Sequence, residues 1–170
     1  MRYAGIIKND VSAAPGVCVS FFTQGCPHRC KGCHNPETWD FDGGKKFTID
    51  TIEEVLKALN ANGVKRRFCV MGGEPLCPEN FPITSLIVEE VKYRYPETEI
   101  YLWTGYTMEE IRGYLRIHDN DDEGTSMRHI LNSLTCLIDG RFEEDKRDIT
   151  LPLRGSSNQN IYYFDKENIF

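Results

Sequence analysis

VCVSFFTQGCPHRCKGC, residues 17–33, runs a strand directly into a loop that carries three thiols. Val17 to Phe22 is rich in β-branched and aromatic residues, the composition of a buried strand. It feeds Cys26, Cys30 and Cys33, spaced Cys-x-x-x-Cys-x-x-Cys. A structural zinc or an ordinary electron-transfer cluster takes four protein ligands, so a set of three leaves one metal position for water, substrate or cofactor. Chemistry is expected at that position.

Outward from this loop the chain alternates. After Gly43-Gly44, Asp50 with Glu53 reads as a helix start resembling a capping box, Ile52, Val55, Leu56 and Leu59 share one helical face, and Asn62-Gly63 ends the element. Arg66 to Met71 is the next strand, followed by a glycine turn and a helix over Ile83 to Tyr95 with Leu86, Ile87 and Val91 inward and Pro96 as its stop. Glu99 to Trp103 is a strand, and Thr107 with Glu110 caps a helix carrying Ile111 and Leu115. Residues 118–125, HDNDDEGT, read as a polar, solvated loop before a short helix over Met127 to Asn132, a strand over Leu134 to Asp139 and a final strand at Ile161 to Phe164.

Strand and helix in alternation predict an α/β fold, a parallel sheet with right-handed crossovers. A complete eight-stranded barrel takes about 250 residues. The 170 residues here therefore predict a single domain over 1–170, a partial, open β/α barrel of about five or six strands. Reactive groups of parallel sheets collect at the carboxyl ends of strands. The cysteine loop, Gly72-Gly73, Thr104-Gly105 and Asp139-Gly140 all fall at such ends, on one rim left open to something bulky.

Composition narrows the partners. Seven cysteines, an odd number with three in eight residues, argue against a secreted disulfide framework and for a metal site in a reducing cytoplasm. Neither a secretory signal nor a membrane-spanning stretch is legible. A formal charge of -6 weighs against nucleic acid, whose binding draws on Lys and Arg.

The turn Gly72-Gly73-Glu74-Pro75 suits a ligand site, because two glycines let the backbone approach without a Cβ and Pro75 stiffens the exit. Glu74 can accept hydrogen bonds from a cationic amino group. A rival account of the cysteines is a zinc knuckle with His28 or His34 as fourth ligand, in a module that binds a partner without catalysis. Cys18, Cys69 and Cys136 lie in apolar strand patterns and read as buried small hydrophobes. Cys77 reads as a partly buried free thiol, and His118 and His129 as solvated side chains without partners.

The cysteine triplet followed about forty residues later by Gly72-Gly73-Glu74-Pro75 resembles the radical S-adenosylmethionine superfamily. That resemblance implies a [4Fe-4S] cluster on Cys26, Cys30 and Cys33. Its fourth iron would bind S-adenosylmethionine, whose reductive cleavage yields a 5'-deoxyadenosyl radical. It implies cofactor contacts from Gly32, Cys33, His34, Gly72, Gly73 and Glu74. Thr104 and Asp139 are expected there from their strand-end positions, and no catalytic acid or base is needed.

CHNPETW after the loop, WTGY at 103–106, DGRF at 139–142 and RGSSNQ at 154–159 resemble the branch that activates anaerobic ribonucleotide reductase. The likeness runs from the first strand to Gln159 and includes Gly32, where the wider superfamily often has an aromatic residue. It implies a glycyl radical placed on the large reductase subunit, with an external one-electron donor such as flavodoxin. An activase of another glycyl-radical enzyme, such as pyruvate formate-lyase, is the nearest alternative.

Overall fold

The chain opens with β1 (Arg2–Asp10), paired antiparallel with β2 (Cys18–Thr23), in a computed structural model that describes residues 1–164. β3 (Lys45–Lys46) and helix α1 (Ile49–Leu59) come next, then β4 (Arg67–Gly72), α2 (Phe81–Arg94) and β5 (Ile100–Trp103). The second half runs α3 (Met108–Ile117), α4 (Asp122–Asn132), β6 (Cys136–Asp139) and β7 (Asn160–Tyr163). Seven strands form one sheet in the order β3-β1-β2-β4-β5-β6-β7.

The α/β class is observed, with a mixed sheet. Four central strands, β2, β4, β5 and β6, are parallel, while β1, β3 and β7 are antiparallel additions. The expected all-parallel sheet of five or six strands is corrected to that extent. β1 escapes a periodicity reading because Gly5, Lys8 and Asn9 interrupt it, and its residues from Ile6 to Asn9 are partly or fully exposed.

Side chains of the parallel strands alternate between two faces, as the period of 2 requires. Val19, Phe21, Phe68, Val70, Ile100, Leu102 and Leu137 point into the larger core, against Ile52, Val55, Ile83, Ile87, Ile111 and Ile130 of the helices. Full burial of such a side chain stabilises by about 1.5–3 kcal/mol, so this layer holds the sheet against its helices. Cys18, Cys69, Tyr101, Cys136 and Ile138 point the other way, with Ala13, Met71, Trp103 and Leu153 packed on them. The three strand cysteines are buried, as their apolar context predicts, and so is Cys77.

Three helix details differ from expectation. α1 begins at Ile49 with Thr48 as N-cap, whose amide donates to Thr51 Oγ1 at 3.2 Å, so the box sits two residues before Asp50. Leu86 turns outward on α2, while Ile83, Ile87, Val88 and Val91 face the core. The acidic stretch 118–125 is largely ordered: Asp121 caps α4 through the Gly124 amide at 2.9 Å, and Asp122 and Glu123 favour the positive end of that helix. His118 has a partner there, with Nδ1 2.7 Å from Asp121 Oδ2 and its ring stacked on Tyr114. Thr107 and Glu110 cap α3 as expected. Among the described residues no helix is long and apolar enough to cross a membrane.

Candidate functional site

Because β2, β4, β5 and β6 are parallel, their carboxyl ends lie on one edge, and the segments that leave them share a cavity of about 420 Å³. Cys26, His28, Cys30, Cys33 and His34 enter it from the β2 exit, Gly72, Gly73 and Glu74 from β4, and Thr104 and Gly105 from β5. Gly140 and Phe142 come from the β6 exit, and Leu153, Arg154 and Gln159 from the tail.

The cysteine loop closes on itself. The Gly25 amide donates to Thr38 O at 2.8 Å and the Cys26 amide to Trp39 O at 3.2 Å, while Gln24 Nε2 donates to Glu37 O and Asp40 O at 3.1 and 2.6 Å. The HNPETW run thus returns against the end of β2 and forms the base of the loop. Within it, the Cys33 amide donates to Cys30 O at 3.1 Å, and the Asn35 amide points at Cys33 Sγ at 3.4 Å.

The glycine turn docks against that base by backbone alone. Glu74 N donates to Gly25 O at 2.8 Å and Gly73 N to Thr23 O at 2.9 Å, and a Cβ on Gly73 would overlap the Gly25 carbonyl. Only glycine permits this approach.

Glu74 lies in the turn with 1% of its side chain exposed. Oε1 accepts from Leu76 N at 2.9 Å and Thr104 Oγ1 at 2.7 Å, and Oε2 from Gly105 N at 2.7 Å, with His28 Nε2 2.8 Å away. A carboxylate offers about four lone-pair positions, so protein groups use its whole capacity. These bonds make Glu74 a buried junction between the β4 turn, the β5 exit and the cysteine loop.

The remaining expected residues divide. Cys26, Cys30, Cys33, His34, Gly72, Gly73, Glu74 and Thr104 line the cavity. Asp139 does not: its oxygens accept from Met108 N, Asn160 N and Asn160 Nδ2, which takes its charge into α3 and β7. Gly32 also lies outside the lining, at φ +75°, where a side chain would meet Glu144 and Phe142. His28, by sequence a possible zinc ligand or a side chain of the loop surface, has both ring nitrogens engaged, Nδ1 by Arg141 Nε at 3.1 Å.

DGRF and RGSSNQ now have physical roles. Phe142 wedges between Gly32 and Gly155 and faces the His34 ring at 5.8 Å. Gln159 holds the tail turn, accepting from Gly155 N at 2.9 Å and Ser156 N at 3.2 Å and donating to Gly140 O at 2.8 Å. Sequence reasoning does not single out Arg141, Phe142 or Gln159 as individual residues. A cation directly after a strand-end glycine is the available signal for Arg141.

Burial pushes the Cys26 thiol up to about 11 against the opposing pull of the His28 amide, and burial raises Cys30 as well. A metal that binds these thiols would displace their protons. No disulfide joins these thiols, and among the described residues no three His, Cys, Asp or Glu side chains already stand in the geometry of a single-ion site. Three sulfur donors on a closed loop facing one cavity fit an iron–sulfur cluster, for which soft thiolates are the preferred ligands.

Residues 13–162 match the family described as a 4Fe-4S single cluster domain, and this chain is a member of it. The chain is 35% identical over 165 residues to the anaerobic ribonucleoside-triphosphate reductase-activating protein of Pasteurella multocida, covering 96% of this chain and 98% of the relative. It is 30% identical to the Escherichia coli K12 protein of the same name (96% and 99% covered) and 34% identical to that of Enterobacteria phage T4 (95% and 94%). The chain belongs to the family of anaerobic ribonucleoside-triphosphate reductase-activating proteins.

Proposed function

We propose that this protein is a radical S-adenosylmethionine activase that generates a glycyl radical on the large subunit of an anaerobic ribonucleoside-triphosphate reductase. The observation that carries this reading is that Cys26, Cys30 and Cys33 share one cavity with the Gly72-Gly73-Glu74 turn in a chain of that family. Cys26, Cys30 and Cys33 would hold the [4Fe-4S] cluster. When bound, cluster and S-adenosylmethionine would supply reductive cleavage of a carbon–sulfur bond and the ensuing hydrogen abstraction.

The chain's own residues position and shield. Gly72 and Gly73 offer backbone without side-chain bulk, and Cys33, His34 and Thr104, which line the same cavity, would help to seat S-adenosylmethionine. Glu74 serves this site by fixing the turn, since its oxygens are occupied within the protein. Gly32 lets the loop turn beneath Phe142. The four parallel strands would form the wall of a partial β/α barrel of the radical S-adenosylmethionine type, with residues 1–170 working as one domain. Flavodoxin is the proposed electron donor and the cytoplasm the proposed location.

The test is anaerobic reconstitution with iron and sulfide, reduction, and addition of S-adenosylmethionine and an anaerobic reductase. Formation of 5'-deoxyadenosine and a glycyl-radical doublet by electron paramagnetic resonance is expected. Stoichiometric zinc in place of iron and sulfide, or a reduced cluster that leaves S-adenosylmethionine intact, would overturn the reading.

A further inference from the structure

The partners of one buried imidazole in the cysteine loop decide which of its nitrogens carries the proton. His28 stands between Cys26 and Cys30 with 5% of its side chain exposed. Its Nδ1 lies 3.1 Å from Arg141 Nε and its Nε2 lies 2.8 Å from Glu74 Oε2. A guanidinium can only donate, so Nδ1 is the acceptor. The single ring proton then sits on Nε2 and is donated to Glu74.

Both ends of this line are anchored. Arg141 makes a bidentate pair with Glu110, with contacts of 3.0, 3.2 and 3.0 Å, and the same Glu110 accepts from the Thr107 amide at 2.8 Å in the cap of α3. Burial pushes the Glu110 carboxyl up, but Arg141 and the Thr107 amide bring it below the usual carboxylate value. At the other end Glu74 is held by three further donors. The imidazole edge meets the Tyr106 ring at 4.6 Å and 74°, and a Cβ on Gly105 would overlap the imidazole. A glycine at 105 is therefore the space that His28 occupies.

We propose that His28 is a positioning residue for the cluster: oriented by Arg141 at Nδ1 and bonded to Glu74 through Nε2, it pins the Cys26–Cys30 segment to the Glu74 turn. This rests on the function proposed above. Glu110, Arg141, His28 and Glu74 form one continuous line of hydrogen bonds, and neighbouring hydrogen bonds polarise one another across the imidazole. Such support around metal ligands is worth about ten- to a hundred-fold in metal affinity, which sets the expected effect.

The test uses the full chain. Imidazole ¹⁵N correlation spectra of the iron-free protein should place the proton on Nε2 of His28. After anaerobic reconstitution, His28→Ala and Gly105→Ala should lose iron about ten- to a hundred-fold faster than wild type and change the line shape of the reduced cluster. His28→Gln, whose amide can still donate to Glu74, should recover much of both. A proton on Nδ1, iron retention and line shape in His28→Ala equal to wild type, or no difference between Gln and Ala would overturn the proposal. If those results hold while no protein cleaves S-adenosylmethionine, the activase reading fails and the positioning role stands.

Discussion

The Met108 amide donates to Asp139 Oδ2 at 2.7 Å, so the last residue of β6 caps the first residue of α3. Asp139 Oδ1 takes the Asn160 amide and Nδ2, each at 3.0 Å, and joins β7 to the same point. Asp139→Ala leaves the buried Met108 amide and the part-buried Asn160 amide without their acceptor and should lower unfolding free energy by about 1–3 kcal/mol, read as a lower urea midpoint. S-adenosylmethionine affinity of the folded fraction should not change. A variant of normal stability and weakened affinity would return Asp139 to the cofactor site.

Replacement of Cys26, Cys30 or Cys33 by Ala should abolish retention of iron and formation of the glycyl radical while leaving the circular dichroism spectrum intact. The loop base is held by Gly25–Thr38 and Cys26–Trp39 backbone bonds, which need no sulfur. Cys77→Ala is the matched control. Its thiol donates to Glu74 O and is buried against α2, so it should keep its iron and lose about 1 kcal/mol of stability. Iron loss in Cys77→Ala would add it to the ligand set.

The central architecture was legible because buried parallel strands are continuous apolar runs and their helices carry one apolar face: Val55, Leu56, Ile111 and Leu115 all lie where their spacing puts them. What escaped depends on contacts distant in sequence. β1 is ordered by pairing with β2, and Gly5 and Lys8 mask its strand character. Leu86 falls outside the arc of α2 along which Ile83, Ile87, Val88 and Val91 turn to the core, so it is left facing outward. The thiol positions were readable from spacing, whereas the occupation of Glu74 by His28, Thr104 and Gly105 joins three strand exits that no local pattern connects.

Gly73 and Gly5 should respond oppositely to the same methyl group. A Cβ at Gly73 would overlap the Gly25 carbonyl, so Gly73→Ala must push the turn from the loop base and should cost about 1–3 kcal/mol, with faster iron loss after reconstitution. At Gly5 a Cβ meets nothing within 4 Å, and Gly5→Ala should stay within about 0.5 kcal/mol of wild type. Chemical denaturation of the two variants checks both. Equal, small effects would mean that the Gly73–Gly25 approach is not required in solution.

Gln159 should control the order of the tail beside the cavity. Its Oε1 accepts from the Gly155 and Ser156 amides and its Nε2 donates to Gly140 O, so Gln159→Ala removes three bonds that fasten the turn to the end of β6. Hydrogen exchange at Gly155 and Ser156 should accelerate by about tenfold or more, the equivalent of about 1.4 kcal/mol of local opening. The Trp103 indole, which donates to Leu153 O at 2.6 Å, reports how far the loosening spreads. Two backbone bonds, Ser157 N to Lys146 O at 2.9 Å and Asp148 N to Gly155 O at 3.0 Å, remain in the variant. Unchanged exchange at Gly155 and Ser156 would show that these two suffice and that the Gln159 amide is dispensable.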